Sequence, residues 1–112
     1  MSPHAVEVLV EGRDVHFRVA HGTLTLRPTM AGHQLSDALV DEGHRRQGRG
    51  GALVAAACRW ADDNRAVLLC TTPTGPTQRL LRRHGFFEDR GIWWRYPAPP
   101  DPASSPELPP PF

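Results

Sequence analysis

Apolar and polar residues alternate with period two through the first quarter of the chain. Val6, Val8 and Val10 share one side of Ala5–Val10, and Glu11-Gly12-Arg13-Asp14 then supplies a turn. Val15, Phe17 and Val19 repeat the pattern against His16, Arg18 and Ala20, and after His21-Gly22 it continues through Thr23–Arg27 on Leu24 and Leu26. Such alternation, broken by tight turns, predicts three short antiparallel strands in a meander. Pro28–Gly32 interrupts it, and Gln34–Val40 predicts a fourth strand ending on Ala38-Leu39-Val40. After residue 41 the period changes. Leu53, Ala56, Ala57 and Trp60 stand at i, i+3, i+4 and i+7, so Ala52–Asp63 predicts an amphipathic helix with Asn64 as its left-handed cap. Val67–Cys70 is a continuous apolar run, the mark of a buried fifth strand. Gly75-Pro76 opens onto a short helix over Gln78–His84, whose last-turn cations Arg82, Arg83 and His84 complement the dipole before Gly85 ends it. Phe86-Phe87 and Ile92–Tyr96 predict two final strands across the Asp89-Arg90-Gly91 turn.

The order β-β-β-β-α-β-α-β-β contains one stretch long enough for a parallel crossover, the fourth strand, first helix and fifth strand. The expected fold is therefore α/β in the α+β sense, a mixed and mostly antiparallel sheet with helices packed on it. A chain of 112 residues has room for one core, expected over residues 1–96. Residues 97–112 are Pro, Ser, Ala and acid, too poor in apolar side chains to offset the entropy of ordering, and are expected to form a disordered tail. Alternation puts Trp93 and Arg95 on one face and Trp94 and Tyr96 on the other. One tryptophan should be core, and an exposed one would mark a partner surface, leaving a homodimer open.

A net charge of +1 provides no global field for nucleic acid or membrane, although all thirteen basic residues are arginine. No apolar run approaches the roughly 20 residues of a membrane span, and Met1-Ser2-Pro3-His4 does not read as the start of a secretory signal. Cys58 and Cys70 lie in apolar segments without metal-ligand spacing, and the six histidines form no i, i+4 pair. Free thiols, a cytoplasmic location and no metal are the expectations.

The chemistry concentrates in Arg45-Arg46-Gln47-Gly48-Arg49-Gly50-Gly51, between an apolar strand and a helix. A first helical turn leaves four backbone N–H groups without intrahelical partners, and the macrodipole adds about half a positive charge there. Glycines permit positive φ and bring the backbone close to phosphate oxygens. The turn is thus suited to a pyrophosphate, with Arg45, Arg46 and Arg49 adding charge around it. A Walker loop requires a lysine, which the chain lacks; a dinucleotide fingerprint begun at Gly48-Arg49-Gly50 requires a third glycine, and Leu53, Val54 and Ala55 follow instead.

The segment from Val40 to Leu53 resembles motif A of the GNAT N-acetyltransferases, Q/R-x-x-G-x-G/A, with Arg45, Gly48 and Gly50 at its defined positions. Arg79-Leu80-Leu81-Arg82-Arg83-His84-Gly85-Phe86 resembles the family's closing helix, which ends in Gly-Phe. Together the two cover about residues 34–90. The resemblance implies an acetyl-CoA-dependent N-acetyltransferase working by direct transfer to a primary amine. Backbone amides of Gln47 to Gly51 would hold the pyrophosphate. Leu39 and Val40 would pair with the pantetheine arm where the fourth and fifth strands splay apart.

Two departures qualify this. Family members carry two helices between their first and second strands, forming one wall of the acceptor site, whereas this chain has only strand-like sequence there. The family's tyrosine that protonates the leaving thiolate falls at Leu81. Asp37 is a candidate general base, placed by period two on the face of Leu35 and Leu39, with His33, Glu42 and His44 as further candidates. Cys70, ending the fifth strand, is a candidate acetyl acceptor or proton donor, against the plainer reading of a packed thiol. The alternative function is a non-catalytic acyl-CoA-binding or interaction module. A nucleic-acid clamp built on Arg45, Arg46, Arg49, Arg79, Arg82 and Arg83 is disfavoured by the balanced charge.

Overall fold

The computed structural model describes residues 5–40, 49–71 and 73–98; the side chains of residues 37–40 and of residue 49 are outside the description. Its elements are β1 (Glu7–Glu11), β2 (Asp14–Val19), β3 (Gly22–Thr29), β4 (Gly32–Val40), α1 (Arg49–Asn64), β5 (Leu68–Thr71), α2 (Gly75–Arg83), β6 (Phe87–Asp89) and β7 (Ile92–Arg95). The strands form one sheet in the order β1-β2-β3-β4-β5-β7-β6. β4 and β5 run parallel, and every other neighbouring pair is antiparallel. The expected α+β architecture is the one found, down to the parallel crossover through the first helix.

Strand register explains the core. Val15 faces Leu26, which faces Leu35; Phe17 faces Leu24; His33 faces Leu68; Cys70 faces Trp93. Directly opposed residues share a side of the sheet, so these positions form one apolar face. Leu53, Val54, Ala57, Cys58 and Ala61 of α1 and Leu81 of α2 pack with that face into a single cluster. The other face carries Arg18, Thr23, Thr25, Arg27, Gln34 and Ser36, then turns apolar at Leu69 and Trp94. Among the described residues no helix precedes α1, so this second face carries no helix from the β1–β2 connection. Of the two tryptophans, Trp93 is core and Trp94 half-buried, while exposed Tyr96 rests on Phe87.

Several boundaries differ from the sequence expectation, each for a local reason. β3 continues through Pro28, which lies beyond the stretch paired with β2 and therefore has a neighbour on one side only, where a missing N–H is tolerated. α1 starts at Arg49 rather than Ala52, so Gly50 and Gly51 belong to its first turn. Its buried stripe is Leu53, Val54, Ala57, Cys58 and Ala61; Ala56 and Trp60, expected inside, are half-buried on the flank. Asn64 is not the left-handed residue. Arg65 takes that conformation at φ 53, with Ala66 N–H bonded to Ala61 O at 2.8 Å and Arg65 N–H to Asp62 O at 3.3 Å, the paired bonds of a Schellman ending. Asn64 instead donates from Nδ2 to Trp60 O at 2.8 Å. α2 begins at Gly75 because Pro76 fits its first turn, and it ends through the same motif at Gly85, φ 89, with Phe86 N–H bonded to Leu81 O at 3.0 Å.

Arg95 ties the two helix ends to the sheet. Its guanidinium donates to both carboxylate oxygens of Asp62, at 2.8 and 3.1 Å, and its Nε donates to His84 O at 2.8 Å. Asp62 Oδ1 also accepts the Ala98 N–H at 2.8 Å. These bonds hold the Asp62 carboxyl below the usual range, chiefly through the Arg95 hydrogen bonds and against the opposing effect of burial. Among the described residues no helix is long and apolar enough to cross a membrane.

Candidate active site

The site begins as a fork in the sheet. β4 and β5 are registered at two positions, His33 with Leu68 and Gln34 with Leu69, although β5 continues to Thr71 and β4 to Val40. At this point Gln34 Nε2 donates to Thr71 Oγ1 at 3.3 Å, bridging the strands where their ladder stops. At the base, His33 N–H bonds to Val67 O at 2.8 Å. Gly32 approaches Val67 so closely that a Cβ at its position would lie 2.6 Å from the same oxygen, and its φ of 148 already excludes most side chains.

Beyond the fork β4 is bulged. Thr23 faces Leu39 and Thr25 faces Ser36, so Asp37 and Ala38 together oppose Leu24. A bulge bends its strand and interrupts the alternation of faces. Leu35 pairs with Leu26 and Leu39 with Thr23, positions on opposite faces of β3, so period two does not carry through from Leu35 to Leu39. Asp37 stands in the bulge, on the open side of the fork.

The crossover geometry brings the starts of both helices to the same end of the sheet. α1 follows the C-terminal end of β4 and α2 that of β5, and ligands of parallel-strand units bind in the crevice outside such strand ends. α1 has no acidic residue in its first turn to satisfy its free amides. Gly50 and Gly51 do not adopt positive φ, contrary to the conformational reason expected for them. A Cβ on either would meet the Leu80 side chain of α2 at 3.7 and 3.8 Å, ordinary van der Waals distances, so this packing does not itself require glycine. The connection to α2 is braced by Gln78 Nε2 donating to Pro73 O at 3.1 Å and by a 3.0 Å bond between the Thr74 and Thr77 hydroxyls.

The remaining candidates fall into place around the fork or away from it. Leu39 and Val40 lie at the open end of β4, paired on their other side with Thr23 and Gly22. Arg45, Arg46, Gln47 and Gly48 lie outside the described residues, as do Glu42 and His44. Arg49 is the first residue of α1. Cys70 stands on β5 just past the last β4–β5 pair; its Sγ reaches Thr71 O at 3.9 Å, and burial raises its pKa. Cys58 is deep in the core with its thiol pushed up to about 11, in keeping with a packing role. His33 sits at the closed base of the fork, edge-on to Trp60 at 5.0 Å, and is removed from the site as a base. Arg82 lies over the Trp93 ring at 5.0 Å, so this member of the arginine clamp is already engaged. Leu81 is fully buried. Gln34 and Thr71 were not anticipated. A lone glutamine in an otherwise alternating strand was the one signal that could have marked the fork.

A family model described as the acetyltransferase (GNAT) domain matches residues 7–88. No curated relative matches the sequence. Among solved structures, the chain is similar to a putative GNAT-family acetyltransferase from Desulfovibrio desulfuricans, with a TM-score of 0.61 and 20% identity over 74% of this chain and 67% of that one. It is also similar to the ribosomal-protein-S18-alanine N-acetyltransferase of Escherichia coli, with a TM-score of 0.64 and 16% identity over 78% and 71% of the two chains. A third, a GNAT-family acetyltransferase from Staphylococcus aureus Mu50, gives a TM-score of 0.60 and 17% identity over 74% and 67%. Identities this low speak to fold alone, but the family model spans most of the sequence: the chain belongs to the GNAT acetyltransferase family.

Proposed function

We propose that the protein transfers an acetyl group from acetyl-CoA to a primary amine by direct attack. The observation that carries this reading is the fork between β4 and β5, at the end of the sheet where α1 begins with no acidic residue in its first turn. The backbone from Gln47 to Gly51 would bind the pyrophosphate, aided by Arg45, Arg46 and Arg49. The unpaired edge of β4 near Leu39 and Val40 would accept the amide-bearing pantetheine arm as an added strand. This lays the thioester near the bulge, with Asp37 and Cys70 on either side of the gap.

In the reaction the amine nitrogen attacks the thioester carbonyl carbon, the C–S bond breaks, and the amine loses a proton while the coenzyme thiolate gains one. Asp37 is the candidate for collecting the amine proton. A thiol whose pKa is raised by burial stays protonated at neutral pH. Cys70 therefore suits donation to the departing thiolate better than nucleophilic attack on the acetyl group.

A second reading, an acyl-CoA-binding module without turnover, is favoured by fully buried Leu81, which occupies the place of the proton-donating tyrosine and cannot donate. Thiol release from acetyl-CoA with a panel of amines separates the two. Turnover on at least one amine supports the transferase, and tight binding with no turnover on any supports the module. Cys70→Ala that left turnover unchanged would remove the thiol from the mechanism.

A further inference from the structure

Away from the fork, an open groove of about 470 Å³ runs between α1 and the edge strand β1. It exists because α1 packs chiefly over β2, β3 and β4 rather than over β1. Val6 and Val8 form one wall, and Ala52, Ala55, Ala56 and Trp60 form the other, with Arg59 among the lining residues. Val8 and Val10, on the helix-bearing side of β1, are 47% and 61% exposed.

We propose that residues 99–112 of this chain occupy this groove, with Glu107-Leu108-Pro109-Pro110-Pro111-Phe112 lying along α1. The take-off point is already fixed on the helix that forms the wall, since the Ala98 N–H bonds to Asp62 Oδ1. The fourteen residues that follow reach about 43 Å as a polyproline II strand. The lining stretch of α1, Ala52 to Asp63, is about 16 Å long, so about five such residues cover it and the rest suffice to cross the helix. Three consecutive prolines pre-set that extended form, which reduces the entropy lost on docking. Leu108 and Phe112 supply the apolar area to cover the alanines and valines, Trp60 offers the aromatic surface on which prolines pack, and Glu107 is complementary to Arg59. Tethering makes the association intramolecular.

A second copy fits less well. Antiparallel pairing of β1 with itself about Leu9 sets Glu7 against Glu11 of the other chain at both ends of the strand, and like charges directly opposed are unfavourable. A segment of this composition, with little apolar area to bury by itself, is compatible with one that orders only against a surface.

The test compares the full chain with one ending at Ala98, and adds a synthetic peptide of residues 99–112 to the shortened chain. The expected result is a melting temperature lower by about 4 °C in the shortened chain, restored by excess peptide, with Trp60 fluorescence responding to the addition. Ala55→Glu, on the outer side of α1, should weaken peptide binding at least ten-fold and abolish the melting difference between the two chain lengths. Equal melting temperatures with no peptide binding would overturn the proposal. So would peptide binding indifferent to Ala55→Glu, or a shortened chain that remains dimeric until Ala55→Glu is introduced, which would assign the groove to a second copy.

Discussion

The two ends of β4 have opposite character. Its first residues are locked: Gly32 lies against Val67, His33 bonds to the Val67 carbonyl, and Gln34 is the last position paired with β5. Its far end is bulged at Asp37 and Ala38 and, among the described residues, is not registered with β5. The same strand is thus anchored to β5 at one end and diverges from it at the other, the end at which the ligand is proposed to bind. A strand pair that zipped to its end would leave no room for a pantetheine arm.

The comparison breaks most readily at the closed end. Gly32→Ala is expected to cost about 3 kcal/mol or more, because the new Cβ must displace a backbone carbonyl in a conformation foreign to L residues. Urea unfolding measures it, and a loss below about 1 kcal/mol would mean that the close approach is not maintained in solution. At the open end, Gly48→Val is expected to reduce acetyl-CoA affinity about 100-fold, roughly 2.7 kcal/mol, with the melting temperature of the unliganded protein little changed. Calorimetric titration would show this; unchanged affinity would remove the glycine from pyrophosphate binding.

Arg95→Met is expected to cost about 2 kcal/mol by stranding the Asp62 carboxylate and the His84 carbonyl. It also carries a pH signature. Asp62 is held below its ordinary value of 3.8 by Arg95, so its contribution is present above that value and is lost as pH falls through the lowered one. The variant should flatten this acid limb. His33 and His84 are lowered from 6.5, mainly by burial, so the unfolded chain binds more protons just below 6.5 and stability declines as pH falls from there. His33→Gln should weaken that decline and leave the limb below 3.8 intact. The smallest effect expected is a gain: Arg65→Gly relieves a left-handed arginine at φ 53 and should stabilise by about 0.5–1 kcal/mol.

Much of this fold was legible because its signals are local. The alternation of Val15, Phe17, Leu24 and Leu26 fixed both the strands and the buried face, and Gly85 marked the end of α2. The bulge was not legible, because an extra residue at Asp37 and Ala38 is visible only against its partner Leu24. The stripe of α1 was misplaced by its flank, since Ala56 and Trp60 satisfy a helical period equally well whether they meet the sheet or a groove. Nor did composition disclose the clamp on Arg95, whose partners Asp62 and His84 are distant in sequence. For the site, the glycines at 50 and 51 were read as a source of positive φ, whereas both fall within the first turn of α1 without it, a helix boundary that the glycine pattern did not reveal.

The central claim is that the fork and the α1 amides together hold acetyl-CoA, and a crystal structure with that molecule tests it most directly. The account predicts the pyrophosphate against the backbone of residues 47–51 and the pantetheine amides bonded to β4 beyond Gln34. An empty fork at saturating concentration, or β4 and β5 paired through Ser36 and Thr71, would contradict it.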